Sequence, residues 1–107
     1  MWGREVAVPA DAMHRIRRDI ALREGSCRAR RDMTVALPLD KWRELGVRLP
    51  NGKPLPKSEL QASLVAGAKR RFLVYGNYDA LLEYNCAHSY AISVALLGDA
   101  IAAKGVR

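Results

Sequence analysis

The apolar positions change period several times along the chain, and each change marks an element. Glu5 to Val8 alternates and stops at Pro9, whose ring nitrogen cannot donate to a ladder, so a short strand is predicted there. From Ala12 to about Glu24 the period lengthens. Met13, Ile16 and Ile20 recur at helical spacing with arginines between them, Asp11 stands where a cap is wanted and Gly25 where a helix would stop. Asp40 before Lys41-Trp42-Arg43-Glu44-Leu45 starts a second helix that Gly46 ends, and Trp42 and Leu45 share a face suited to plugging a small core. Leu49 to Lys57, with Asn51-Gly52 and Pro54 and Pro56, reads as a turn and an extended connector. Ser63 to Ala66 and Arg71 to Tyr75 are β-prone and read as a hairpin whose tip, 67–70, is basic. Asp79 to Glu83 reads as a short helix opened by Asn77 or Asp79. Ser89 caps a last helix with Tyr90, Val94, Leu97 and Ile101 on one stripe and Ala91, Ala95, Gly98 and Ala102 on a small-residue stripe beside it.

These elements predict an α+β fold, a small antiparallel sheet or hairpin packed with about four short helices. At 107 residues the chain is read as a single domain, 1–107, with one modest core. Half of its residues are hydrophobic and 27% are charged, a balance that argues against disorder of the whole chain.

Charge changes the picture more than composition does. The net charge is +7, but Arg15, Arg17, Arg18, Arg23, Arg28, Arg30 and Arg31 crowd one segment, whereas residues 72–107 are nearly neutral. A basic segment of this kind attracts anionic polymers, lipids or peptides through salt-sensitive fields, or serves as a solvated face. Nucleic acid is not the expected partner, because no aromatic side chain is interleaved in the Arg15 to Arg31 run to stack on bases. Cys27 and Cys86 form no metal-site spacing with His14 and His88, so neither a metal nor another cofactor is expected. The two cysteines would bridge in an oxidising compartment only if the fold brought them within several ångströms, which the sequence leaves open. Arg4 and Glu5 interrupt any signal-peptide core, and no apolar run approaches the length of a membrane span.

The stretch from Phe72 to Ala102 carries the candidate chemistry. Tyr75, Tyr78, Tyr84 and Tyr90 each read alone as core-edge tyrosines, but grouped with Asn77 and Asn85 they suit a sugar-binding surface, since a ring face and an amide together can hold a hydroxylated or N-acetylated ring. The pattern Phe72-Leu-Val-Tyr75, Asn77-Tyr78, Ala80-Leu-Leu-Glu-Tyr84-Asn85, Tyr90-Ala91 and Val94-Ala-Leu-Leu97 resembles the C-terminal end of the B-type lytic murein transglycosylases. Further matches lie upstream in the same order. Trp2-Gly3-Arg4-Glu5-Val6 is similar to a family strand, Trp42-Arg-Glu-Leu-Gly46-Val47 to a turn, and Asn51-Gly-Lys-Pro54-Leu55-Pro56 to a loop; the Arg-rich stretch at about 11–31 is an insertion that the resemblance does not cover.

The resemblance implies the C-terminal part of a lysozyme-like transglycosylase domain. It implies a fragment or remnant of an enzyme that cleaves the MurNAc-GlcNAc glycan of peptidoglycan without water, leaving 1,6-anhydro ends, by means of one glutamic acid. In the family that glutamate precedes the strand matched by residues 2–6, so no catalytic residue is assigned here and the chain is expected to be inactive alone. Tyr84, Asn85 and Tyr90 match cleft residues that contact the sugar or orient the acid. Glu83 stands where the family usually has arginine and Ala87 where serine is common. The expected partner is a peptidoglycan glycan strand, together with a second copy or another chain covering the face of an absent lobe. The expected location is the periplasm or cell envelope if the protein is exported, and the cytoplasm if the chain is complete. The competing expectation is a non-enzymatic basic module for binding or assembly.

Overall fold

The computed structural model describes residues 2–66, 70–88 and 90–95, with the side chain of residue 66 excepted. The element order is β1 (Gly3–Val6), α1 (Ala10–Asp19), α2 (Arg28–Arg31), β2 (Leu37–Pro38), α3 (Leu39–Glu44), β3 (Gln61–Ala66), β4 (Arg71–Val74) and α4 (Tyr78–Tyr84), and residues 90–95 are again helical. The strands form one antiparallel sheet in the order β1-β4-β3-β2. The fold is α+β, as the periodicities imply.

The period-two pattern decides which side chain faces which layer. Leu64 sits opposite Leu73, and both join Val6, Met13, Ile16, Leu39 and Trp42 on one face of the sheet. Val65 sits opposite Phe72, and both join Met33, Tyr78, Leu82, Ala91 and Ala95 on the other. The sheet is therefore covered twice, by α1 and α3 on one side and by α2, α4 and 90–95 on the other. A one-residue slip would exchange the two sets, so the burial of both faces fixes the register. β1 approaches β4 closely at Gly3, where an added Cβ would lie 2.8 Å from the Leu73 carbonyl oxygen.

Trp42 anchors the first layer. It is fully buried, and its indole N–H donates to the Ala62 carbonyl at 2.8 Å, tying α3 to β3. Gly46 ends this helix at φ +103°, a conformation that suits glycine, as expected. The connector also matches its reading: Asn51-Gly52 forms a turn closed by the Gly52 N–H to Leu49 carbonyl bond, with the Asn51 side chain accepting from the Lys53 N–H.

Three local expectations fail for identifiable reasons. Both α1 and α3 begin directly after a proline, Pro9 and Pro38, rather than after Asp11 and Asp40, which lie inside the first turn. The Asp11 side chain instead pairs with Arg15 one turn on, at 3.4 Å. α1 also stops at Asp19 rather than near Glu24. Residues 21–23 are drawn into antiparallel pairing with 33–35 through Arg23 N–H to Met33 O and Val35 N–H to Ala21 O bonds, so ladder hydrogen bonds displace helical ones. Gly25, at φ +131°, turns the chain between those two runs and caps no helix. The Ser89 cap, the 67–69 part of the basic hairpin tip and the stripe positions Leu97, Gly98, Ile101 and Ala102 lie outside the described residues.

Candidate functional site

The site grows from the end of α4. Tyr84 is its last residue, and Asn85 follows in an extended conformation with its N–H still donating to the Leu81 carbonyl at 3.0 Å. The Ala87 N–H then turns back to the Asn85 carbonyl at 2.7 Å, and the Ala91 N–H donates to the Ala87 carbonyl at 3.0 Å, starting the next helix. This short turn lays the Tyr84 ring beside that of Tyr90, with centroids 6.0 Å apart and planes inclined by 23°. Tyr84 is 84% exposed, Asn85 is exposed and Tyr90 is half-buried. An exposed aromatic face beside an exposed amide can stack on a sugar ring and bond to its substituents.

The other tyrosines are elsewhere. Tyr75 packs at the edge of the first layer, and its hydroxyl accepts from Arg4 Nε at 3.1 Å. Tyr78 is fully buried in the second layer. Of the two Tyr/Asn pairs that stand out in the sequence, only Tyr84-Asn85 offers its ring to solvent.

Behind the exposed turn lies a cross-linked joint that joins the 21–35 segment to α4 and the 85–88 turn. Cys27 and Cys86 form a disulfide, directly after Asn85 in the chain. The Arg23 guanidinium makes a two-pronged pair with the Asp79 carboxylate at 2.8 and 3.2 Å. Arg30 donates to the Asp79 carbonyl at 3.1 Å and reaches the Glu83 carboxylate at 3.7 Å. The negative charge at position 83 is thus met by a cation from the Arg-rich stretch. That stretch does not simply project its charge outward.

His88 closes the joint. Its Nε2 lies 2.6 Å from the Ala29 carbonyl oxygen and its Nδ1 lies 2.9 Å from the Tyr78 hydroxyl. A carbonyl only accepts, so Nε2 carries the proton and Nδ1 accepts from Tyr78, a pattern that fits the neutral ring. Burial lowers the His88 pKa below its ordinary 6.5, against opposing contributions from the Ala29 carbonyl and from Asp32. Burial likewise raises the pKa of the Tyr78 hydroxyl, which keeps it a donor at physiological pH.

No described carboxyl has the environment of a protonated general acid, which is a dry pocket without a neighbouring cation. Glu5 is hydrogen-bonded to Arg70 at 2.8 and 3.1 Å, and that contact lowers its pKa despite some desolvation. Glu83 is 75% exposed beside Arg30, and Glu24, Glu44 and Glu59 are exposed. Among the described residues no cluster of three or more His, Cys, Asp or Glu side chains could hold a metal, and no helix is long and apolar enough to cross a membrane.

Sequence reasoning selected Tyr84, Asn85 and Tyr90, and the fold brings them together. It missed Arg23, Arg30, Asp79 and His88, and it left open the disulfide that the fold closes. The available signals were a basic stretch separated in sequence from an acidic helix and an even number of cysteines, neither of which specifies contact.

A family profile described as "Transglycosylase SLT domain" matches residues 1–99. The fold is similar to that of SltB3 from Pseudomonas aeruginosa in complex with NAG-anhNAM-pentapeptide, with 35% identity and a TM-score of 0.69, covering 92% of this chain and 24% of that one. It is also similar to SltB3 in complex with NAG-NAM-pentapeptide, at 36% identity and a TM-score of 0.65 over the same shares. The chain therefore spans about a quarter of the length of these structures. No curated protein sequence matches significantly.

Proposed function

The chain belongs to the transglycosylase SLT domain family, and from that premise we propose that its 84–90 turn forms one wall of a peptidoglycan-binding cleft of a lytic transglycosylase. The observation that carries this reading is the pairing of Tyr84 with Tyr90, a largely exposed ring stacked on a half-buried one with Asn85 at its side. A wholly structural tyrosine would bury its ring, as Tyr78 does. That SltB3 is found in complex with NAG-anhNAM-pentapeptide and with NAG-NAM-pentapeptide supports a peptidoglycan glycan as the ligand.

In the reaction implied by the family, a carboxylic acid protonates the glycosidic oxygen as the C1–O bond breaks. The sugar's own 6-hydroxyl then attacks C1, and its proton returns to the carboxylate, leaving an anhydro end without uptake of water. Tyr84, Asn85 and Tyr90 bind and orient the sugar in this scheme. Glu5 is not the acid, because Arg70 favours its ionised form. No proton donor is assigned among the described residues. The substrate sets the place of work at the cell envelope.

The test is a pull-down of purified protein on insoluble peptidoglycan at several salt concentrations, with Tyr84→Ala and Asn85→Ala alongside the parent. Each substitution removes an exposed side chain, so both variants keep the parent's unfolding midpoint. The expected result is parent binding that survives salt and is lost roughly tenfold or more in the variants, about 1.4 kcal/mol, within the range of an aromatic contact. Binding abolished by salt alone, or equal in all three proteins, would refute the reading.

A further inference from the structure

The Arg-rich stretch does not direct all of its cations toward α4. In the single turn of α2, Ala29 is buried and Arg30 reaches Asp79 and Glu83, whereas Arg28 and Arg31 are exposed. At about 100° per residue, Arg28 and Arg31 lie about 60° apart around the helix axis, on the side away from those contacts. Among the described residues neither pairs with a carboxylate, and the nearest acid in sequence is Asp32.

Two links fix where these cations stand. Arg28 follows Cys27, which is bridged to Cys86, the residue after Asn85, with the Cys27 and Cys86 Cα atoms 5.8 Å apart. The carbonyl of Ala29, between the two arginines, is held by His88 at 2.6 Å on the far side of the same turn. α2 is therefore fastened to the segment that carries Tyr84 and Asn85, and Arg28 stands one residue from the bridge that joins them.

We propose that Arg28 and Arg31 form an anion subsite that takes carboxylates of the peptide stem on the glycan strand, while Tyr84, Asn85 and Tyr90 hold the sugars. This rests on the glycan reading above and names a second part of the ligand. The ligands held by SltB3 carry a pentapeptide on the sugar, and a peptide ends in a carboxylate, so one molecule presents both chemistries side by side. Guanidinium groups suit carboxylates because their paired N–H donors match the two oxygens. The contact is solvent-exposed, so its contribution is modest, falls with salt and affects which strands are preferred more than whether strands bind.

The experiment compares binding of the intact chain to soluble glycan strands carrying their peptides and to the same strands stripped of peptides by an amidase, which leaves one lactyl carboxylate on each NAM unit in place of the longer stem, at low salt. The parent is expected to prefer peptide-bearing strands by roughly three- to tenfold. Arg28→Ala/Arg31→Ala should abolish that preference without changing affinity for stripped strands, and Arg28→Glu/Arg31→Glu should reverse it. Lys53→Ala/Lys57→Ala, which removes the same charge from two exposed positions of the 49–57 connector, should leave the preference intact. A parent that binds both strands equally, an arginine variant that keeps the preference, or a lysine variant that loses it equally would overturn the subsite. A parent that fails to bind stripped strands would instead overturn the glycan reading beneath it.

Discussion

The two faces of the sheet are held by different means. On one, α1 and α3 bury Met13, Ile16, Leu39 and Trp42 against Leu64 and Leu73, with the Trp42 indole bond as the main polar tie. On the other, burial of Met33, Phe72, Tyr78 and Leu82 is supplemented by a disulfide, a partly buried arginine–carboxylate group and a histidine wedged between a carbonyl and a tyrosine. The candidate site sits on the second. An exposed turn has too little apolar surface of its own to stay fixed, so a binding surface built on one needs covalent and directional polar bonds behind it.

The sharpest way to break this contrast is to damage the first face alone. Trp42→Ala removes the largest fully buried side chain and the indole N–H that donates to the Ala62 carbonyl. The expected cost is about 3–5 kcal/mol in denaturant unfolding, a large part of what holds a domain of this size together. Glycan affinity of the fraction that remains folded should match the parent, because Trp42 belongs to the layer remote from Tyr84. A folded variant with weakened glycan binding would show that the two faces are not independent.

Cys27→Ser/Cys86→Ser makes the complementary cut. The bridge spans 59 residues of sequence, and freeing a loop of that size costs about 2–4 kcal/mol. Hydrogen exchange is expected to separate the faces. Amides of β3 and β4 should open only in global unfolding, whereas those of α4 and the 85–91 turn should exchange by a lower-energy local opening. Uniform loss of protection would mean that the disulfide stabilises the whole chain and not the joint. A Tyr84 contact with glycan that survives in this variant at full strength would show that the turn holds its shape without the bridge.

The same contrast explains what the sequence made legible. Trp42, Leu64, Leu73 and the hairpin strands carry their address in their spacing, because a side chain that must face a given layer recurs with the period of its element. The resemblance, carried by short motifs in order, pointed to Tyr84, Asn85 and Tyr90, and the turn after α4 brings those residues into one surface. The joint has no such periodicity. Arg23 meets Asp79 across 56 residues, and nothing in either local sequence distinguishes this arginine from Arg17, which is exposed on α1. The early end of α1 was hidden for a related reason. Ile20 continues a helical stripe in sequence, but the chain beyond it pairs with residues 33–35, and a ladder to a distant partner overrides a local period. Tyr78 shows the limit of grouping by residue type, since it sits within the tyrosine-rich stretch yet serves the core.

Acidification tests the joint with the smallest expected effect. His88 is neutral in the folded chain because burial lowers its pKa below the ordinary value of 6.5, and its two hydrogen bonds use the neutral tautomer completely. Its contribution to stability is therefore fully present above pH 6.5, where folded and unfolded chains are both neutral at this position. Below 6.5 the unfolded chain takes up the proton first, so stability falls with decreasing pH until the folded-state pKa is passed. A protonated ring would carry a donor on Nδ1 toward the Tyr78 hydroxyl, which would have to rotate to accept it, so the loss should be felt between the Ala29 carbonyl and the α4 backbone. His88→Gln keeps a donor and an acceptor but cannot titrate, and it should flatten the pH dependence of the unfolding free energy between pH 7 and 5 relative to the parent. Equal slopes in the two proteins would show that His88 is not the group whose titration sets the acid sensitivity in this range.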